Sequence, residues 1–297
     1  MNPAPGTVER SVQTADGRTL SVQADDSPGS WVLVHNGTPN GRLLYPPALE
    51  DARSHGLRLV SYDRPGYGGS TAQPGRTVAD CVADVRAICA SLGIERLGVW
   101  GISGGGPHAL ACAALAGDLV AAVASLASVA PYGAAGLDYF DGMGEENVED
   151  TKLELADPAA ARRKAAEDRL EMLALDADQV AAAIATLVGP ADAAALEGPV
   201  AEYLVQSGRD ALAPGVEGWV EDGKAHLEPW GFDLSAIAVP VLLLHGADDR
   251  FVPIGHGRWL AAQIPGVDAR FSETDGHLTL LTDRIPEVHA WLAAQLA

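Results

Sequence analysis

The stretch Leu97-Gly98-Val99-Trp100-Gly101-Ile102-Ser103-Gly104-Gly105 decides how this chain is read. Leu97–Trp100 is a short apolar run without polar alternation, the pattern of a strand buried on both faces. The residues from Ser103 to about Ala116 suit a helix. Glycines on both sides of Ser103 let the backbone turn sharply from strand to helix and keep the hydroxyl exposed. The N-terminus of the helix favours negative charge that develops during attack on a substrate. The plain alternative is a glycine-rich crossover loop whose Ser103 only caps the helix.

Outward from this stretch, strands and helices alternate. Val8–Thr14 and Leu20–Gln23 read as a hairpin around Asp16-Gly17. Trp31–Val34 and Leu59–Ser61 are further buried-strand candidates, with a helix expected at about Leu44–His55 between them. The helix expected at Val78–Leu92 places Val78, Val82, Val85, Ile88, Cys89 and Leu92 on one stripe, and Gly93 ends it. After a strand at Val120–Ala127 the pattern changes. Residues 131–230 show no buried strand but carry Ala-rich helical stretches at roughly Pro158–Leu175, Ala177–Leu187 and Gly198–Ser207. The strand rhythm resumes with Val241–Leu244, a helix near His256–Gln263, a strand at Val267–Phe271 and a last helix at Ile285–Leu296. The reading is an α/β fold in three pieces: a core segment 1–130, a helical cap 131–230, and the returning core 231–297.

A serine hydroxyl is a weak nucleophile and needs a base held by an acid. His277, in Thr274-Asp275-Gly276-His277, and Asp249, in Gly246-Ala247-Asp248-Asp249, both follow expected strands, where sites form in such sheets. Taken singly, Asp249 reads as a helix cap before Pro253 and His277 as an exposed loop residue. In the order Ser103, Asp249, His277 they form a candidate triad. Asn36-Gly37-Thr38-Pro39 follows a strand as well, so the N–H groups of Thr38 and Gly104 are the candidate oxyanion hole. Pro39 has no N–H to give. His35 and His108 lack carboxylate or cysteine neighbours at metal-site spacing and read as scaffold residues, so no metal is expected. Neither a phosphate-binding loop nor a dinucleotide fingerprint occurs, and no cofactor is expected.

Composition narrows the partners. The 297 residues carry a formal charge of −20, and residues 131–230 hold 21 Asp/Glu against 7 Lys/Arg. Such a surface repels nucleic acid and anionic lipid, which leaves a small-molecule substrate. The plain reading of these acids is an exposed helical layer kept soluble. The apolar stretch near Leu119–Pro131 is far too short to span a membrane, and Met1–Arg10 does not read as a secretory signal. Three cysteines, Cys81, Cys89 and Cys112, read as free thiols of a reducing compartment, so a cytoplasmic location is expected.

With His35-Asn36-Gly37-Thr38-Pro39, Asp63-Arg64-Pro65-Gly66-Tyr67-Gly68-Gly69-Ser70, the Gly101–Gly105 turn, Gly246-Ala247-Asp248-Asp249 with Pro253, and Gly276-His277, the chain resembles the α/β-hydrolases over nearly its whole length. That family includes esterases, lactonases, proline iminopeptidase-like enzymes, haloalkane dehalogenases and epoxide hydrolases. The resemblance implies a mostly parallel eight-stranded sheet flanked by helices, with a helical cap after the sixth strand. It makes Asp63 and Arg64 members of a supporting network. Where the family has glycine directly after the first histidine, this chain has Asn36. Dehalogenases and epoxide hydrolases place aspartate at the nucleophile position, whereas this chain keeps Ser103. The resemblance implies an acyl-enzyme, and because esters and lactones need less leaving-group activation than amides, hydrolysis of a small carboxylic ester or lactone is expected. A proline iminopeptidase-like aminopeptidase or amidase is the alternative, its substrate amine held by cap acids such as Glu145, Glu146, Glu149 or Glu202. A non-catalytic binding protein on the same scaffold would be marked by loss of a triad residue, and none is lost. Trp219 and Trp230 could line the pocket or pack the cap to the core.

Overall fold

The computed structural model describes residues 6–184, 187–196 and 199–297. The expected helix start at Gly198, the last part of the Ala177–Leu187 expectation and the first half of Met1–Arg10 touch positions outside these. Eight strands form one sheet: β1 (Thr7–Gln13), β2 (Thr19–Asp25), β3 (Ser30–His35), β4 (Leu57–Tyr62), β5 (Leu97–Ile102), β6 (Val120–Leu126), β7 (Val241–Gly246) and β8 (Asp268–Ser272). Their spatial order is β1-β2-β4-β3-β5-β6-β7-β8. β1 and β2 are the expected hairpin, paired from Thr7–Asp25 to Gln13–Thr19, and β2 runs antiparallel to β4. The pairs from β4 through β8 are parallel.

Side chains alternate across the parallel strands and divide the core in two. Leu33, Val99, Val123 and Leu243 face one layer with α2 (Cys81–Leu92), α3 (Gly106–Leu115) and α10 (Ile254–Gln263). Val32, Trp100, Ala124 and Leu244 face the other, with α1 (Pro46–Ser54), α11 (His277–Asp283) and α12 (Ile285–Leu296). Both faces are covered, which is why the strands read as unbroken apolar runs. Gly93 ends α2 in the left-handed conformation, as its position after the stripe suggests.

Between β6 and β7 six helices among the described residues are inserted as a cap region: α4 (Glu145–Ala156), α5 (Pro158–Ala174), α6 (Ala177–Ala183), α7 (Pro190–Ala195), α8 (Pro199–Ala211) and α9 (Glu217–Leu227). Three of them, α4, α7 and α9, have no counterpart in the sequence reading. α4 buries no residue and so shows no apolar stripe. α7 has only six residues, too few for a readable period. α9 interrupts its stripe with two buried acids, Glu221 and Asp222. The cap joins the core through Val180 and Leu196 against Leu278, and through Leu212 against Tyr67. No helix among the described residues is long and apolar enough to cross a membrane.

Candidate active site

β5 delivers Ser103 at the centre of the sheet. The residue sits at φ 55, in the left-handed region that a side chain with a Cβ rarely occupies. The turn is that tight because its flanks are glycine. A Cβ at Gly101 would lie 2.8 Å from the Gly105 carbonyl carbon, and one at Gly105 would overlap the His35 carbonyl oxygen. The hydroxyl-bearing residue is half-buried and lines a cavity of about 560 Å³. His108 Nδ1–H and His226 Nε2–H both donate to the Gly104 carbonyl, at 2.9 and 3.0 Å, and so brace the turn from below and from the cap.

His277 opens α11 and lines the same cavity. Its Nδ1–H donates to Asp249 Oδ2 at 2.8 Å, and the Val252 N–H donates to Asp249 Oδ1 at 2.8 Å. Asp249 is therefore buried with both oxygens engaged. The capping role that Asp249 has when read singly is present too, for its Oδ1 closes the turn onto Val252. Asp248 is half-buried against Gly189 of the cap. Burial works against the charged form of His277, yet the Asp249 carboxylate holds its pKa above the ordinary value. Phe251 stacks on the imidazole with ring centres 4.7 Å apart.

The loop after β3 brings Thr38 to the turn: a Cβ on Gly104 would run into Thr38 Oγ1. Both residues line the cavity. Arg64 fixes this loop by donating to the Asn36 and Gly37 carbonyls at 2.6 and 3.0 Å. Its charge is met by Asp222 of α9, which is fully buried and also accepts from Thr38 Oγ1 at 2.7 Å, Arg76 at 2.6 Å and Tyr67 at 2.9 Å. Burial opposes ionisation of Asp222, but Arg64 and Arg76 keep its pKa well below the carboxylate range. Asp63 serves a different neighbour, accepting from the Arg42 side chain and from the Arg42 and Gly69 amides. Asn36, where the family has glycine, donates to the Gly41 and Leu43 carbonyls and so tightens the same loop.

The cavity wall is mainly apolar, with Val129, Met143, Met172, Leu204, Trp219 and Leu278 among its residues. Acidic residues line it as well. Glu146, Asp150 and Glu154 of α4 and Asp168 and Glu171 of α5 stand there around Lys164, which pairs with Asp150 at 3.0 Å and Asp168 at 2.8 Å. Of the cap acids named from sequence, Glu146 lines the cavity, whereas Glu145, Glu149 and Glu202 stand outside its wall. Trp219 lines it as well, while Trp230 packs in the core.

Residues 30–283 match the family model described as alpha/beta hydrolase fold. The chain belongs to this family. A search of curated proteins finds no match. Among solved structures this hydrolase-fold chain is similar to an alpha/beta hydrolase fold protein from Nakamurella multipartita, at 26% identity and a TM-score of 0.65, with 97% of this chain and 99% of the other covered. It is similar to an enol-lactonase from Burkholderia xenovorans LB400, at 21% identity, a TM-score of 0.67 and coverage of 97% and 99%. A thermophilic esterase from Thermogutta terrifontis gives 22% identity, a TM-score of 0.69 and coverage of 98% and 100%. At these identities the last two likenesses speak for the fold.

Sequence reasoning missed three residues of this hydrolase-fold site: Asp192, Asp222 and His226, all from the cap. The one available signal was Arg64, since a buried arginine demands an acid, but its partner lies 158 residues away. Spacing also hid a grouping beneath the turn. His35 Nε2, Cys81 Sγ and Cys112 Sγ lie within 4.8 Å of one another, whereas the sequence shows no cysteines near His35. Cys112 approaches His35 Nε2 at 3.6 Å, and the Cys81 thiol donates to the His108 carbonyl at 3.5 Å.

Proposed function

We propose that this chain is a serine hydrolase that cleaves a small carboxylic ester or lactone through an acyl-enzyme. The observation that carries the reading is the convergence on one cavity of the strained Ser103 and of a His277 held by Asp249. With Nδ1–H engaged by Asp249, Nε2 is the free base. It takes the Ser103 proton as Oγ attacks the acyl carbon. The N–H groups of Thr38 and Gly104 receive the oxyanion, in a loop that Arg64 and Asp222 hold rigid before substrate arrives. Collapse breaks the bond to the leaving alkoxide, which leaves with the proton from His277. Water, deprotonated by His277, then attacks the acyl carbon, and the acyl–Oγ bond breaks as His277 returns that proton to Ser103 Oγ and the acid departs. No step needs a metal or cofactor.

The apolar side chains of the cavity wall suit an apolar acyl group. The acids of α4 and α5 favour a second reading, a substrate with an amine such as an aminoacyl amide. A panel of p-nitrophenyl esters, lactones and aminoacyl-anilides separates the two, and turnover of the anilides with little of the esters would reverse the order. The serine assignment is tested by fluorophosphonate labelling with intact-mass detection. One adduct is expected, absent from Ser103→Ala, whose circular dichroism stays unchanged. Undiminished labelling of that variant would refute it. The expected loss of turnover is large, leaving about 10³–10⁴-fold catalysis over water, because a triad acts as a unit.

A further inference from the structure

The imidazole assigned above as the base hangs from the first residue of α11, so its position is only as good as that of the first helical turn. Amides of a first turn have no partner within the helix and need a cap. The local cap position is Gly276, which has no side chain. What the local sequence supplies is the hydroxyl of Thr279, which accepts from the Gly276 N–H at 2.7 Å. The N–H groups of His277, Leu278 and Thr279 donate to no acceptor in that loop.

Their partner comes from the cap. Asp192 of α7 accepts from the His277 N–H through Oδ2 at 2.7 Å, and through Oδ1 from the Leu278 and Thr279 N–H groups at 2.8 and 3.0 Å. The residue is 0% exposed. A carboxylate buried so completely is costly unless its lone pairs are filled by donors, and three converging amides at a positive helix end fill them. The fit extends to the neighbour. A Cβ on Gly276 would lie 2.5 Å from the Asp192 carboxylate, so glycine at the cap position and aspartate in α7 are one device. Leu278 packs against Val180 and Leu196 beside it, which fixes the rotation of α11 relative to the cap.

We propose that Asp192 is a positioning residue for the reaction: a helix cap supplied in trans by the cap region, which places the backbone of His277 while Asp249 places its ring. The inference rests on the serine-hydrolase reading for the role of His277. It gives the cap a task beyond covering the cavity. Docking of α7 assembles the base, and a cap that lifts away would take the register of His277 with it.

The test is a double-variant cycle on Asp192 and Gly276. Asp192→Ala removes the acceptor and should lower kcat by about 10²-fold, the scale for a misplacement near 1 Å, with KM moving less than about threefold. Amide hydrogen exchange at His277–Thr279 should quicken. G276S alone should also harm activity, because its side chain meets the Asp192 carboxylate. In the double variant D192A/G276S the new hydroxyl occupies the vacated space and caps the helix locally, for Gly276 has the extended φ and ψ of −101° and −152° that a cap residue uses. Its kcat should return to within about 10-fold of wild type, with exchange protection restored. Wild-type kcat in Asp192→Ala, or a double variant no better than Asp192→Ala, would overturn the proposal. If Asp192→Ala yields no soluble protein, the isosteric Asp192→Asn decides. It offers one oxygen to three amides, and about 10-fold lower kcat with faster exchange is expected, whereas wild-type values of both would refute the role. Wild-type protein that neither turns over esters nor labels at Ser103 would sink the hydrolase reading instead, and the exchange arm would still decide whether Asp192 holds the His277 turn.

Discussion

Asp249→Asn probes the proposed base most directly, and the structure sets both its direction and its size. In the native site Asp249 Oδ1 accepts from the Val252 N–H and Oδ2 from His277 Nδ1–H, each at 2.8 Å. An asparagine has one oxygen and one NH2 for these two donors. If the oxygen keeps Val252, the NH2 donates to Nδ1, and the ring proton moves to Nε2, where it blocks the base. If the amide turns over, the base is correct but two N–H groups face each other at Val252. Leaving such a buried donor unpaired costs about 1–3 kcal/mol, so the productive form is the minor one. Even then a neutral amide supports the imidazolium of the transition state less well than a carboxylate, and a hydrogen bond to a charged group contributes about 1.5–3 kcal/mol. The two effects together amount to roughly 10²–10⁴ in kcat, and neutralising the corresponding aspartate in a serine protease costs about 10⁴. The assay is kcat on the best p-nitrophenyl ester, at a pH above the His277 titration so that the base is neutral in both proteins. Asp248→Asn is the control and should lose less than about 10-fold, since Asp248 faces Gly189 and lies 3.9 Å from Arg250. A folded Asp249→Asn enzyme within 10-fold of wild type would refute the assignment, and a crippled Asp248→Asn would place the acid one residue earlier.

Three further outcomes follow from the ionised groups. Asp222→Ala leaves Arg64 and Arg76 buried without their acid and should destabilise the protein by about 3–5 kcal/mol, a melting-temperature drop on the order of 10 °C by calorimetry. A drop below about 2 °C would show that the cluster is not held through Asp222. Because the native pKa of Asp222 is depressed, its stabilisation is present above the unfolded carboxylate value of about 3.9 and is lost as pH falls through the native one. His277 has the opposite sign. Its pKa is raised, so kcat/KM should climb with pH along a limb whose midpoint lies above about 6.5, and a midpoint below that would contradict the Asp249 pairing.

The strand–turn–helix at Gly101–Gly105 was legible in the sequence because every cause is local: an apolar run, flanking glycines and a helical stretch within 20 residues. The same holds for β1 and β2 around Gly17, for the stripe of α2, and for Ser103, Asp249 and His277 as candidates, since each sits just after a recognisable strand. The acidic, Ala-rich character of residues 131–230 also marked the inserted helices, although not their number. Tertiary structure alone decided which cap residues reach the site. Asp192 and Asp222 look like two more solvated acids among the 21 in residues 131–230, and a sequence carries no sign of which helix face will be buried when a helix is too short for a period or its stripe is broken by acids. Their partners stand 85 and 158 residues away, the His277 turn for one and Arg64 for the other. Periodicity reports on neighbours along the chain, whereas a buried carboxylate is placed by donors that only folding brings together. Local sequence wrote Ser103 and its turn; long-range packing of the cap set the groups that hold the Asn36–Thr38 loop and His277 in place.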